Sequence, residues 1–87
     1  MTEHDETTKI HYICQTYIET PSGGLKVDKV FEYTSAAPAI ERAEREARSD
    51  ACAGADAYTI SEDTASGEVS SPDFLLRCGT VPDSDGF

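Results

Sequence analysis

Residues 36–54 read AAPAIERAEREARSDACAG, and this stretch decides the fold. Alanine, glutamate and arginine are strong helix formers, and Pro38 falls in the first turn, where its missing N–H is not needed. Thr34 or Ser35 is a suitable N-cap, and Gly54 is a suitable residue at which to end a helix. The stretch therefore predicts one helix that runs to Gly54.

The predicted helix carries its apolar residues on one side. They follow helical spacing and are Ala36, Ile40, Ala43, Ala47 and Ala51. The charged residues Glu41, Arg42, Glu44, Arg45 and Arg48 lie off this stripe, as is typical of a solvated outer face. Because Ile40 is the only large apolar residue of the helix, we expect the helix backbone to lie close to whatever the stripe covers.

A β-hairpin is predicted before the helix. Residues 9–20, KIHYICQTYIET, are rich in β-branched and aromatic residues, and residues 21–24, PSGG, supply a turn. Residues 25–33 then alternate. The alternation places Leu25, Val27, Phe31 and Tyr33 on one face, and Lys26, Asp28, Val30 and Glu32 on the other.

A second hairpin is predicted after the helix, from residues 56–63, a turn at 64–67 and a return strand at 68–78. Pro72 indicates a bulge or an edge position in the return strand, in which Phe74, Leu76 and Cys78 are expected to share one face. The fold class is therefore α+β: a four-stranded, mainly antiparallel sheet of two β-hairpins in the order ββαββ, with one helix packed on one face.

The net charge of −10 over 87 residues is unevenly distributed. Half of it lies in two short polar tails, residues 1–8 and 83–87, which we expect to be mobile beside a single domain spanning residues 9–82. Most of the remainder lies on the second hairpin. The protein is thus expected to be a nearly neutral sheet and helix with acidic ends.

Composition excludes several function classes. A negative chain is not expected to bind nucleic acid directly or to adhere to an anionic membrane, and no apolar run is long enough to span a bilayer. The first residues carry acids and no base, unlike an export signal. An odd number of cysteines, Cys14, Cys52 and Cys78, favours reduced thiols. We therefore expect a cytoplasmic protein.

The helix can cover only one face of the predicted sheet, which leaves an open face. The residues assigned to it are His11, Ile13, Gln15, Tyr17, Val30, Thr59, Ser61, Leu75 and Arg77. This mixture of aromatic, aliphatic and hydrogen-bonding side chains is typical of a binding surface. Its partner is expected to be a second copy of the chain or an unidentified protein; a ligand cleft and simple solvent exposure are the alternatives.

No residue pattern indicates catalysis, a cofactor or a metal. His11 has no nucleophile or orienting carboxylate that spacing identifies, and alternation places it on the opposite face from Cys14. Residues 62–73 imitate a calcium loop, but their ligand positions are weak and a strand precedes them instead of a helix. An acidic hairpin is the better interpretation; its carboxylates are Glu62, Asp63, Glu68 and Asp73.

The leading hypothesis is a non-catalytic interaction module, homodimeric through the open sheet face or an edge strand. The alternative is an acidic decoy that imitates nucleic acid and binds a basic protein, which needs the hairpin carboxylates in a phosphate-like row. A small enzyme that uses His11 or a thiol has the least support.

The order of HYICQTYIE, the AIERAEREAR helix, AGADAYTISED and the GEVSSPDFLLRCGTVP return resembles small bacterial single-domain proteins of ββαββ order. The resemblance covers residues 9–82 and rests on architecture and the AGADAY helix exit. It implies the fold and a bacterial cytosolic setting, and it carries over no functional residue.

Overall fold

The structure of the protein, a computed structural model, describes residues 7–82. The elements are β1 (Thr8–Glu19), β2 (Leu25–Tyr33), α1 (Ala36–Ala47), β3 (Gly54–Asp63) and β4 (Asp73–Gly79). They form a four-stranded antiparallel sheet in the order β2-β1-β3-β4, with α1 packed on it. The predicted α+β class and ββαββ order are confirmed. Of the predicted tails, residues 1–6 and 83–87 lie outside the described residues.

Glycines close both hairpins. Gly23 has a φ of 93° and Gly67 a φ of 82°, in the left-handed region that favours glycine. In the first turn, Gly23 N donates to Thr20 O at 2.9 Å; in the second, Gly67 N donates to Asp63 O at 2.6 Å. The predicted turn segments thus bring β1 beside β2, and β3 beside β4.

The helix is shorter than predicted. Ser35 is the N-cap, but α1 ends at Ala47 with Arg48 as the C-cap. Gly54 begins β3 instead of ending the helix. The chain must turn before it, because Ala53 N donates to the carbonyl of Tyr17 at 2.7 Å and so starts the β1–β3 pairing. Only Ala51 and Ala53 of residues 49–54 are strong helix formers, so the segment favours the helix weakly and strand pairing determines its conformation.

The face of the sheet against α1, here called the covered face, is filled by small residues. Its fully buried members are Cys14, Ala55 and Ala57 from the sheet and Ala39 and Ala43 from α1. Larger side chains pack around this centre: Tyr12, Phe31, Tyr33, Ile40 and Leu76. The close approach of helix to sheet that alanine predicts is what allows so small a core to exclude water.

Arg42 departs from the predicted solvated face of α1. Its guanidinium carbon lies 4.1 Å from the centroid of the Phe31 ring, a cation–π arrangement. Its Nε lies 3.0 Å from a carboxylate oxygen of Glu46. The side chain is 29% exposed, so its stem covers the rim of the core.

A β-bulge in the first hairpin changes which side chains share a face. The β1–β2 register shifts between Gln15 and Tyr17, so that Val27 pairs with Tyr17, and Val30 with Gln15. Paired residues share a face. Val27 therefore lies on the same face as Val30, and the prediction that it lies with Phe31 is wrong. An extra residue in one strand inverts the alternation beyond it.

A second shift lies between Ala57 and Tyr58 in the β3–β4 pairing. Leu76 pairs with Ala57 on the covered face, whereas Phe74 pairs with Tyr58 on the other. The prediction that Phe74, Leu76 and Cys78 share one face is therefore wrong for Phe74. Both shifts lie at the outer strands of the sheet, because β2 and β4 are its edges.

Candidate functional site

The face of the sheet away from α1, here called the open face, draws side chains from every strand. The pairing register places on it His11, Ile13, Gln15 and Tyr17 of β1, Val27, Val30 and Glu32 of β2, Asp56, Tyr58, Ile60 and Glu62 of β3, and Phe74 and Arg77 of β4. These residues form three zones along the strands: a buried polar network, an apolar middle and an ionic cluster.

The structure brings most of the predicted site residues together. His11, Ile13, Gln15, Tyr17, Val30 and Arg77 all lie on the open face. Leu75 falls within the β4 register shift and is 38% exposed. Thr59 and Ser61 pair with Tyr12 and Ile10, so their predicted place on the open face is wrong. The alternation of β3 is as expected, but the opposite set of its residues faces outward.

The polar network occupies the end of the open face near the β3 start. Asp56, which is fully buried, accepts a hydrogen bond from the hydroxyl of Tyr17 at 2.8 Å. Arg77 donates from Nε to Asp56 Oδ1 at 3.0 Å and from Nη2 to Oδ2 at 3.3 Å. Gln15 donates to the Tyr17 hydroxyl and accepts from the Tyr58 hydroxyl, each at 2.9 Å. These hydrogen bonds join β1, β3 and β4.

Arg77 extends the network to residues after β4. Its Nη2 also donates to the carbonyl of Pro82, and its guanidinium carbon lies 4.2 Å from the Phe74 ring centroid. Nearby, Thr80 N donates to Ala53 O at 3.0 Å. The polar groups of this zone are thus satisfied by one another, which favours a structural role and a single arrangement of the strands.

Burial disfavours ionisation of the tyrosines in this zone. Burial first, and then the hydrogen bond to Asp56, raise the pKa of Tyr17 well above its usual value. Burial also raises the pKa of Tyr58. Both hydroxyls therefore remain protonated donors at neutral pH, and neither is prepared to act as a base or nucleophile.

The apolar middle of the open face lies between the polar zones. Tyr58 and Phe74 meet edge to face, with ring centroids 5.8 Å apart. Ile13 and Ile60 are partly exposed. On the edge strand β2, Val27 (48% exposed) and Val30 (57% exposed) pair with Tyr17 and Gln15, so they lie beside the polar network and extend the apolar surface along that edge. Nothing among residues 7–82 covers this zone as α1 covers the other face.

The ionic cluster lies at the far end of the open face and is centred on His11. Its Nδ1 lies 2.5 Å from Glu32 Oε2, and its Nε2 lies 2.8 Å from Glu62 Oε1. The His11 side chain is 16% exposed, against 56% for Glu32 and 34% for Glu62. The hydrogen bond with Glu32, followed by that with Glu62, raises the pKa of His11.

The geometry of His11 bears on what the residue can do. Both ring nitrogens lie within hydrogen-bonding distance of carboxylate oxygens, and both can donate only when the ring is an imidazolium. A general base needs a free nitrogen lone pair, which this arrangement does not leave. In the described part of the chain, no group of three His, Cys, Asp or Glu residues is placed to hold a metal ion.

The acidic hairpin residues do not share one surface. Glu62 contacts His11 on the open face, whereas Asp73 pairs with Thr59 on the opposite side. Asp63 Oδ1 accepts from Ala65 N at 2.9 Å within the turn, and Glu68 O accepts from Asp63 N at 2.8 Å. The turn thus uses the Asp63 carboxylate for its own geometry, while Glu68 contributes its backbone carbonyl.

A shallow pocket of about 320 Å³ lies away from the ionic cluster, near the start of β3. Its lining includes Ile18, Asp50, Cys52 and Thr80. Cys52 Sγ donates to Glu46 O at 2.8 Å, and burial raises its pKa. Burial also raises the pKa of Cys14, on the covered face, to about 11. These two thiols are protonated at neutral pH, unlike an activated nucleophile.

Comparison of the chain with protein-family models, curated proteins and solved structures finds no match. Among residues 7–82, no helix has the length and apolar character needed to cross a membrane.

Sequence reasoning missed several residues of the open face. They are Val27, Asp56, Tyr58, Ile60 and Phe74, together with the contacts of Glu32 and Glu62 to His11. The first five depend on the strand register and on the two bulges. A usable signal was present for Asp56 alone, because a carboxylate between alanines in a strand has to find a partner when buried.

Proposed function

We propose that this protein is a non-catalytic interaction module that self-associates through the open face of its sheet. One observation carries the proposal: the covered face buries alanine and cysteine, while larger apolar side chains remain partly exposed on the open face. An apolar sheet face bordered by polar groups is a typical interaction surface.

The open face is favoured over an edge strand as the contact. Both edge strands carry a register shift, and such bulges hinder strand-to-strand addition. β2 also carries Lys26 and Lys29, which discourage pairing, and Pro72 immediately precedes β4. The side chains of Val27 and Val30 point from β2 onto the open face, where no comparable obstacle to a contact is present among residues 7–82.

The charges of the open face favour a second copy as the partner. Within one chain, Arg77 is paired with Asp56, and His11 with Glu32 and Glu62. Lys9, which lies opposite Glu62 in the β1–β3 register, supplies the remaining positive charge when His11 is protonated. A face whose charges are already balanced does not require an oppositely charged partner, and it suits a self-complementary contact across a two-fold axis.

The size of the face is sufficient for a modest dimer. A sheet about 19 Å wide and about 30 Å long has a face of roughly 600 Å². Two copies would bury roughly 1,200 Å², the lower end of the range for specific interfaces. Weak and transient contacts occupy this end of the size range, and since area alone does not fix affinity, association is to be measured across micromolar concentrations.

Sedimentation equilibrium across that concentration range tests the proposal. The expected result is a reversible transition from the 9.4 kDa monomer to a dimer. Val30→Lys, at a position 57% exposed in the monomer, should preserve folding and weaken dimerisation by about tenfold or more, since an unpaired charge would be buried at the contact.

Ile10→Lys is the matched control, because Ile10 is 42% exposed but lies on the opposite side, paired with Ser61. It adds the same charge and should leave the dimerisation constant unchanged. A monomer at all concentrations, or equal weakening by both variants, would contradict contact through the open face.

The three cysteines support a cytoplasmic setting as part of the same proposal. Cys14 is buried on the covered face, and Cys14, Cys52 and Cys78 are all free thiols. A reducing compartment keeps such thiols free.

A further inference from the structure

The ionic cluster of Glu32, His11 and Glu62 has a geometry that depends on one proton. Each ring nitrogen of His11 faces a carboxylate oxygen, at 2.5 and 2.8 Å. A neutral imidazole has one N–H, so loss of the proton turns one of these hydrogen bonds into a contact between two acceptors. The cluster therefore holds β2, β1 and β3 together in this form only while His11 is protonated.

The charges around His11 come from three strands. Glu32 lies on β2, Glu62 on β3, and Lys9 on β1, opposite Glu62. Glu68 follows the turn of the second hairpin. Its neighbour Val69 forms an isolated β-bridge with Glu62. Asp73, the first residue of β4, pairs with Thr59 of β3 on the covered face, which is also the face against which α1 packs. With His11 protonated, it and Lys9 balance Glu32 and Glu62.

We propose that protonation of His11 controls self-association through the open face, so that the dimer forms at mildly acidic to neutral pH and dissociates as His11 loses its proton. This inference rests on the proposed function. His11 lies beside Ile13 on β1, so a partner seated on the apolar middle would also cover the cluster.

Two physical effects give the direction. Burying a balanced cluster requires no counter-charge, whereas the deprotonated cluster would bring an unpaired negative charge from each copy into the contact. The neighbouring carboxylates raise the pKa of His11, so the change falls above the ordinary value of about 6.5. Since the dimer holds the proton more tightly than the monomer, association weakens as pH rises.

Sedimentation equilibrium of the whole chain at pH values from about 6 to about 9 tests this inference, because that range begins near the ordinary pKa of histidine and extends in the direction in which the pKa of His11 is shifted. By linkage, the logarithm of the dimerisation constant should fall by up to about two per pH unit, one for each His11. In His11→Gln this dependence should disappear. The other histidine of the chain, His4, provides the control, and the His4→Gln variant should retain the pH dependence of the dimerisation constant.

Glu32→Gln is the second variant, chosen because Glu32 is 56% exposed and its loss should not unfold the domain. Without this carboxylate, Lys9 and Glu62 balance each other when His11 is neutral, so the weakening of association with rising pH should disappear or reverse in this variant. The same fall of the dimerisation constant with pH as in the wild type would contradict the role of the cluster.

The outcomes separate this inference from the proposed function. A dimer whose pH dependence vanishes in His11→Gln supports both. A dimer whose pH dependence is the same in His11→Gln leaves the contact standing and overturns control by His11. A monomer at every pH, in the wild type and both variants, overturns the contact itself and the control with it.

Discussion

The covered face and the open face of the sheet achieve order in different ways. On the covered face, Cys14, Ala55 and Ala57 meet Ala39 and Ala43 of α1, and every one of them is fully buried. On the open face, the most buried side chains are the polar Tyr17 and Asp56, while valines remain exposed. Packing fixes one face, and hydrogen bonding fixes the other.

This difference shows where further stability or function can reside. The covered face is complete, because small side chains leave no room between helix and sheet. The open face is held by its polar network at one end and its ionic cluster at the other, and it leaves an apolar middle free to be covered. Substitutions should therefore act through hydrogen bonds on the open face and through volume on the covered face.

The largest effect is expected from Asp56→Ala on the open face. It removes the acceptor of the Tyr17 hydroxyl and the carboxylate partner of Arg77, which keeps its hydrogen bond to the carbonyl of Pro82. Breaking a buried pair in this way costs roughly 3 to 5 kcal/mol, and the lower value applies because Arg77 is 23% exposed. Urea denaturation followed by circular dichroism should show a correspondingly lower free energy of unfolding.

Asp73→Ala serves as the control, because it removes an exposed carboxylate from the neighbouring strand β4. Its free energy of unfolding should stay within about 0.5 kcal/mol of the wild type. If the two variants were equally stable, the polar network would not be what orders the open face.

The fold could be predicted because its signals are local. Helix-forming alanine, glutamate and arginine in α1, β-branched residues in β1 and glycines at the turns each act within a few residues. The end of the helix could not be predicted, since the turn before Gly54 is set by the hydrogen bond between Ala53 and Tyr17. That contact joins distant parts of the chain.

The candidate site was less predictable because it depends on register. Alternation along β1 correctly grouped His11, Ile13, Gln15 and Tyr17. It could not place Val27, Phe74 or the residues of β3, because a bulge or a shift of one residue inverts the face. The carboxylates of His11 come from β2 and β3, so no spacing in the sequence identifies them.

A smaller effect is expected from Ala43→Leu on the covered face. Ala43 is fully buried against the sheet, so the added carbons must push α1 outward. Overpacking of this kind costs about 1–3 kcal/mol, and helix propensity does not contribute, since leucine is nearly as good a helix former as alanine. Urea denaturation followed by circular dichroism should show a free energy of unfolding that is lower by this amount.

Two matched variants sharpen this test. Ala37→Leu adds the same side chain to an exposed position of α1, and Val30→Leu enlarges an exposed side chain of the open face. Both should remain within about 0.5 kcal/mol of the wild type in dilute protein. Equal tolerance at Ala43 would show that the covered face is looser than its buried alanines indicate.

The smallest effect is expected from the ionic cluster on the stability of the monomer. The pKa of His11 is raised in the folded chain, so the folded state holds the proton more tightly than the unfolded state. The stabilisation is therefore fully present below the unfolded pKa of about 6.5 and is lost as pH rises through the raised folded value. Exposure of Glu32 to solvent keeps it small.

Urea midpoints of dilute protein at pH values on either side of that transition measure this contribution. The difference between wild type and His11→Gln should be larger at the acidic value than at the alkaline one, while His4→Gln should follow the wild type throughout. A difference that grows with pH would mean that His11 is held as a neutral ring. The open face would then depend on Asp56 and Arg77 alone, and its two ends would no longer be comparable.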